Sequence, residues 1–171
     1  MGRMLVVMSG LPGTGKSAIA DALGHELGAP VVAVDPIEAA IWRCGIAPSF
    51  ATGIAAYEVA AALAEHQLSL GLTAIVDSVS SIEVARDMWR QAAGRAGAEL
   101  RVIEVVCSDE HVHRQRLAGR RRDIEGSPRL SWDDVQRRCA EWEPWTDDRL
   151  VVDTMRSVDD NLADALIFLR S

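Results

Sequence analysis

No stretch of these 171 residues is apolar for long enough to span a membrane, and no repeat, low-complexity tract or linker-like run interrupts the chain. Basic residues are the scarcer charge, 18 against 25 acidic, and the resulting net charge of −7 counts against a protein built to grip nucleic acid. A local patch runs the other way, through Arg114, Arg116, Arg120, Arg121, Arg122 and Arg129. Cysteine is sparse and unpatterned. Cys44, Cys107 and Cys139 form no CxxC pair, so free thiols in a reducing cytoplasm are expected rather than a disulfide frame. His25, His66, His111 and His113 show no metal-ligand spacing with cysteine or carboxylate partners, and surface or helix positions are expected for them. The N-terminus enters a strand-like run directly, with no signal-peptide pattern, and a cytoplasmic location is expected.

What is present begins at Gly10. The run Gly-Leu-Pro-Gly-Thr-Gly-Lys-Ser, ending at Ser17, follows the apolar strand Met4–Met8 and precedes the amphipathic run Ala18–Leu27. Strand, glycine-rich loop and helix in that order make a Walker A phosphate-binding loop. Gly10, Gly13 and Gly15 free the backbone to turn its N–H groups inward around a phosphate, and the helix N-terminus adds partial positive charge. Gly10, Gly13, Thr14, Gly15, Lys16, Ser17 and Ala18 are therefore the expected nucleotide-binding residues. Lys16 reaches the β- and γ-phosphates, and the Ser17 hydroxyl sits on Mg²⁺.

Downstream, apolar strands alternate with helix-length stretches, the pattern of a parallel sheet covered on both faces. Strands are expected at Val31–Val34, Thr73–Val76, Leu100–Cys107 and Leu150–Val152. Helices are expected over Ile37–Arg43 and from about Ile54 to Leu70, separated by a loop over Cys44–Gly53. Ser80 with Glu83, Ser108, Ser131 with Asp134, and Ser157 with Asp160 read as caps opening four further helices. Gly126, Ser127 and Pro128 make Arg120–Leu130 a loop or lid between two of these helices. One α/β domain over the whole chain is the simplest reading.

Ligands of such sheets gather at the carboxyl ends of the strands. Asp35, Asp77 and the pair Asp153–Thr154 fall at such ends. Asp35 is placed to accept the proton of an attacking hydroxyl, and the same Asp-Pro-Ile-Glu sequence also makes a good helix N-cap. Asp77 is placed like a Walker B carboxylate, holding Mg²⁺ together with Ser17; a substrate contact or a plain turn residue are the other readings. Arg116 and Arg120 share a helical face, where guanidinium groups suit stacking on a base or gripping phosphate oxygens. Ile41, Trp42, Ile46, Phe50 and Tyr57 lie in the insertion Ile37–Tyr57, with few basic residues among them, and suggest an uncharged, partly apolar acceptor.

P-loop, aspartates after strands two and three and an arginine-bearing lid together resemble the small P-loop kinases. The Val-Asp-Pro-Ile-Glu-Ala turn, the Ala-Ile-Val-Asp strand and the element order are most similar to the chloramphenicol phosphotransferase and zeta-toxin-like group. The resemblance implies a P-loop NTPase fold, a doubly wound five-stranded parallel sheet in the order 2-3-1-4-5. It also implies Lys16 as phosphate ligand, Asp35 as general base, Arg116 at the adenine and Arg120 at the phosphates. ATP and Mg²⁺ follow as cofactors, because the NKxD guanine motif is missing, and a small-molecule hydroxyl follows as acceptor. A nucleoside or polynucleotide 5′-hydroxyl kinase, or a regulatory ATPase that switches a protein partner, are the alternatives.

Overall fold

A computed structural model describes residues 2–119 and 130–171; Arg120 and most of the expected lid lie outside them. The elements in chain order are β1 Met4–Ser9, α1 Lys16–Leu27, β2 Val31–Ala33, α2 Val34–Arg43, α3 Phe50–Ser69 and β3 Ala74–Asp77. They continue with α4 Glu83–Ala96, β4 Glu99–Val106, α5 Glu110–Ala118, α6 Trp132–Ala140, β5 Arg149–Asp153 and α7 Val158–Phe168. All the strand pairings are parallel, and the five strands run in the order β2-β3-β1-β4-β5. This is the expected P-loop NTPase sheet.

Two-residue periodicity divides the core. Met4, Val6 and Met8 of β1 point to the face covered by α1 and α7, where they meet Ile19, Leu23 and Ala165. Leu5 and Val7 point to the other face and pack under α3 and α4 against Ala60, Ala64, Leu68 and Trp89. Every residue of β1 is buried, as a central parallel strand requires. Alanines let α3 lie close to the sheet, and the fully buried Trp89 fills the space beneath α4. Truncating so large a core residue costs about 3–5 kcal/mol. Register then aligns the strand ends, with Ala33 beside Asp77, Asp77 beside Met8, and Met8 beside Ile103.

Several boundaries differ from the sequence reading, each for a local reason. Helix α3 starts at Phe50 rather than near Ile54, because Ser49 and Thr52 form a reciprocal capping box. The loop before it shrinks to residues 44–49, and Gly53 becomes helical. Trp42 donates its indole N–H to the Thr52 hydroxyl at 3.2 Å and ties α2 to α3. Helix α2 is capped at the extended Ala33, so Asp35 sits inside the first turn rather than at the cap. Ser80 does not open α4; Ile82 precedes it, and the Glu143 carboxylate from across the chain accepts from the Glu83 backbone N–H. Asp109 rather than Ser108 caps α5, whereas the Ser131–Asp134 box and the Ser157 cap form as expected.

Candidate nucleotide and acceptor site

The phosphate loop connects β1 to α1 across residues 10–15. Gly10 has φ 157°, and a Cβ there would lie 2.4 Å from the Val105 carbonyl oxygen, so only glycine lets β1 and β4 stay paired as the loop departs. Gly15, at φ 95°, is the left-handed N-cap of α1. That cap uses no side chain; the Ala18 N–H turns back to Gly15 O at 3.1 Å, and the N–H groups of Lys16 and Ser17 are left for a ligand. Lys16 is 7% exposed, and its Nζ donates to Asp77 Oδ1 at 2.5 Å. Ser17 Oγ donates to the other carboxylate oxygen at 2.6 Å. The end of β3 and the first turn of α1 thus bring together Asp77, Lys16 and Ser17.

The loop is clasped from outside. Thr154 follows β5 and donates its hydroxyl to Thr14 O at 2.6 Å. Arg116, near the end of α5, donates to the same hydroxyl at 2.6 Å and to Thr154 O at 3.0 Å. Arg116 therefore reaches the phosphate-loop neighbourhood through Thr154. From α5, the His113 Nε2–H donates to Pro12 O at 2.8 Å, which fixes the ring's tautomer because a carbonyl can only accept. The ring stands edge-on to Trp132, with centroids 5.0 Å apart. His113 lies on helix α5, one of the two placements expected for it, and is buried there. Its signal in the sequence was the pair His113 and Leu117, four apart on one face of α5, both against Gly13.

Behind Asp77 the chain is stitched by polar contacts among buried groups. Ser80 is the non-glycine residue with positive φ, 50°, among those described. Its hydroxyl bonds Ser78 at 2.6 Å and accepts from Trp89 Nε1 at 2.9 Å, while its N–H donates to the Tyr57 hydroxyl at 3.0 Å. Arg86 is completely buried and donates to the carbonyls of Ser80, Pro144, Ser81 and Glu143. Its guanidinium lies 4.3 Å from the centroid of the Trp145 ring, and Trp145 in turn donates to Ser9 Oγ at 3.2 Å. Burial lowers the Arg86 pKa from its ordinary value, opposed by Glu83 and other carboxylates. Arg86 is not singled out by the sequence and Ser80 reads there only as a helix cap, since both act through contacts distant along the chain.

Asp35 is half-buried and, with Tyr57 of this group, lines a cavity of about 210 Å³ that also borders the loop residue Pro12. Trp42, Tyr57, Val79 and Leu130 give that cavity apolar walls, and Glu38 and Arg138 add charge. Ile41 packs against the core on the α3 and α4 face, while Ile46 and Phe50 are exposed, so only part of the expected apolar wall forms. Burial of the Tyr57 phenol raises its pKa above the usual value despite the hydrogen bond from Ser80, so it stays neutral.

Parallel sheet, glycine loop and paired Lys16–Asp77 define a P-loop NTPase. The AAA_33 family model, an AAA domain, matches residues 5–142, and the chain belongs to that family. A sugar kinase from Janibacter sp. HTCC2649 superposes with a TM-score of 0.74 at 18% identity, over 99% of this chain and 95% of that one. The Mycobacterium tuberculosis APS kinase CysC in complex with AMPPNP and APS gives 0.74 at 19% identity, over 99% of both chains. Chaetomium thermophilum Kti12 in complex with ADP-AlF3 gives 0.67 at 20% identity, over 94% of this chain and 98% of that one. At such identities these structures share the fold. A comparison with curated proteins finds no match. No helix among the described residues is long and apolar enough to cross a membrane.

Proposed function

We propose that this chain is an ATP-dependent kinase that transfers the γ-phosphoryl group to a hydroxyl of a small, uncharged acceptor. The observation that carries the reading is the Asp35 cavity. A carboxylate beside a walled space next to the phosphate loop gives an acceptor somewhere to bind, which simple hydrolysis does not need. ATP with Mg²⁺ supplies the transferable phosphoryl group. The residues present fit that pair: the first turn of α1 has free N–H groups, and Ser17 and Asp77 offer hard oxygen atoms side by side.

In this reading the Lys16 ammonium, which has two donors besides the one on Asp77, holds charge on the β- and γ-phosphates. Asp35 takes the proton of the acceptor hydroxyl as its oxygen bonds phosphorus and the bond to the leaving phosphate oxygen breaks. Arg116 and Thr154 border the adenine, and Arg120, outside the described residues, contacts the phosphates. Within the kinases we place the chain beside the chloramphenicol phosphotransferase and zeta-toxin-like group, on the strength of the Val34–Ala39 turn that carries Asp35. A second reading, a regulatory ATPase that switches a protein partner, needs only the nucleotide end of the site. Incubation with γ-labelled ATP and a library of alcohols separates them. Label in an alcohol supports the kinase; phosphate release that no alcohol diverts, stimulated by a stoichiometric protein partner, supports the other.

A further inference from the structure

Glu38 follows Asp35 by one turn of α2, and both side chains line the same cavity. Glu38 Oε1 lies over Gly53 of α3, 3.5 Å from where a Cβ would stand, so bare backbone makes room for the carboxylate. Arg138 of α6 borders the cavity from the other side. No hydrogen bond or ion pair joins Glu38 and Arg138, although the charge of Arg138 is felt at Glu38. Burial first, and the Asp35 carboxylate next, raise the Glu38 pKa above the ordinary carboxyl value; Arg138 opposes them. An acceptor-only anion and a donor-only cation therefore border one cavity without touching.

We propose that Glu38 and Arg138 are the specificity-determining pair for the acceptor, and that they select a neutral polyol or hydroxy-amide. This rests on the phosphotransfer reading and adds a second anchoring point to it. A second hydroxyl, or a primary amide, donates to Glu38 while accepting from Arg138. An ammonium satisfies Glu38 but meets the guanidinium with like charge. A phosphate or carboxylate satisfies Arg138 but meets the Glu38 carboxylate with like charge. The pair thus turns away nucleoside monophosphates and other anionic alcohols, a rejection built from repulsion as much as from fit.

The test uses ring alcohols that differ in one group: cyclohexanol, vicinal cyclohexanediol, the vicinal amino alcohol and the vicinal hydroxy acid. Their Kd values are measured by saturation-transfer NMR with AMPPNP present. The diol is expected to bind about tenfold more tightly than each of the others, the gain of a hydrogen bond to a charged group. In Glu38→Gln and Arg138→Gln, each checked for an unchanged Tm, that preference collapses, and Glu38→Gln binds the hydroxy acid better than the wild type does. Equal binding of all the probes, no binding of the diol, or a diol preference that survives Glu38→Gln overturns the proposal. Phosphorylation of the diol is followed in parallel. A diol that binds with the expected preference but takes no phosphate supports this pair and counts against the kinase reading alone.

Discussion

The two ends of the cleft are made of different material. At the nucleotide end the groups that matter are mostly backbone: the first N–H groups of α1, and the carbonyls of Pro12 and Thr14 held by His113 and Thr154. At the proposed acceptor end they are side chains from separate helices, Asp35 and Glu38 from α2, Tyr57 from α3 and Arg138 from α6. A backbone cradle needs particular glycines in one contiguous run and tolerates little change. A side-chain wall can be rebuilt one residue at a time without disturbing the loop next to it. The first end therefore identifies the class of protein, and the second, in the reading proposed above, decides what it acts on.

The comparison breaks most sharply at Asp35. Replacement by Asn, which keeps the shape, is expected to lower phosphotransfer by roughly 10²–10⁴-fold while ATP affinity measured by titration stays unchanged. Asp35 is not the cap of α2, so the helix start should survive. Full transfer at normal Tm would leave Asp35 without a proton-accepting role. Lys16→Ala acts at the other end and should cost about 10²–10³-fold in turnover, together with weaker ATP binding. Undiminished ATP affinity there would undo the phosphate-loop reading.

Arg86→Met should damage both ends together, because it leaves buried carbonyls of Ser80 and Pro144 unpaired. A loss of about 3 kcal/mol is expected, or roughly 6–12 °C in Tm for a domain of this size. A Tm within a degree or two of the wild type would show that water replaces the guanidinium. Thr154→Val removes the clasp hydroxyl and should weaken ATP binding by about tenfold, with rescue by Thr154→Ser. Equal affinities in Val and Ser variants would assign the site to shape alone.

The smallest effect should come from a pair remote from either end. Arg90 makes a bidentate contact to Asp147, at 3.0 and 2.6 Å, and these hydrogen bonds hold the Asp147 carboxyl below its ordinary pKa. A depressed folded-state pKa gives stability that is complete above the unfolded value near 3.8 and is lost as pH falls through the folded one. Asp147→Asn should therefore cost about 1 kcal/mol at neutral pH and less at pH 3, measured by denaturant unfolding, with ATP affinity unchanged. A cost that does not shrink in acid would rule out the ion pair as its source.

Legibility in the sequence followed the same division. The phosphate loop was readable as a contiguous motif, the strands from their apolar runs, and the strand order only through the resemblance to P-loop kinases; Ser17 and Asp77 were expected together, whereas the Lys16–Asp77 ion pair was not. Asp35 was readable as a strand-end carboxylate, but its place in the helix was not. Pro36 suggests a first helical position, and the extended Ala33 moves the cap two residues earlier than Asp35. Ser80 looked like a helix cap from local spacing and was instead drawn into contact with Trp89 and Tyr57. Glu143, far along the chain, bonds the α4 N-terminus in its stead. His113 and Arg138 carried only faint signals, since a face of a short helix shows nothing of what another helix will set against it.

The alignment of Ala33, Asp77 and Met8 across three neighbouring strands fixes a scale for the chemistry. Asp35 leaves the outer lane two residues past Ala33, and Gly10 leaves the inner lane two residues past Met8, with Asp77 in the lane between. Neighbouring strands lie about 4.8 Å apart, so the two outer exits are set roughly 10 Å from each other by the sheet itself. Side-chain substitution can alter what stands at each exit, but not the gauge on which the exits are laid. Acceptors of many shapes can be exchanged against one fixed distance, provided each presents its reacting oxygen within that span.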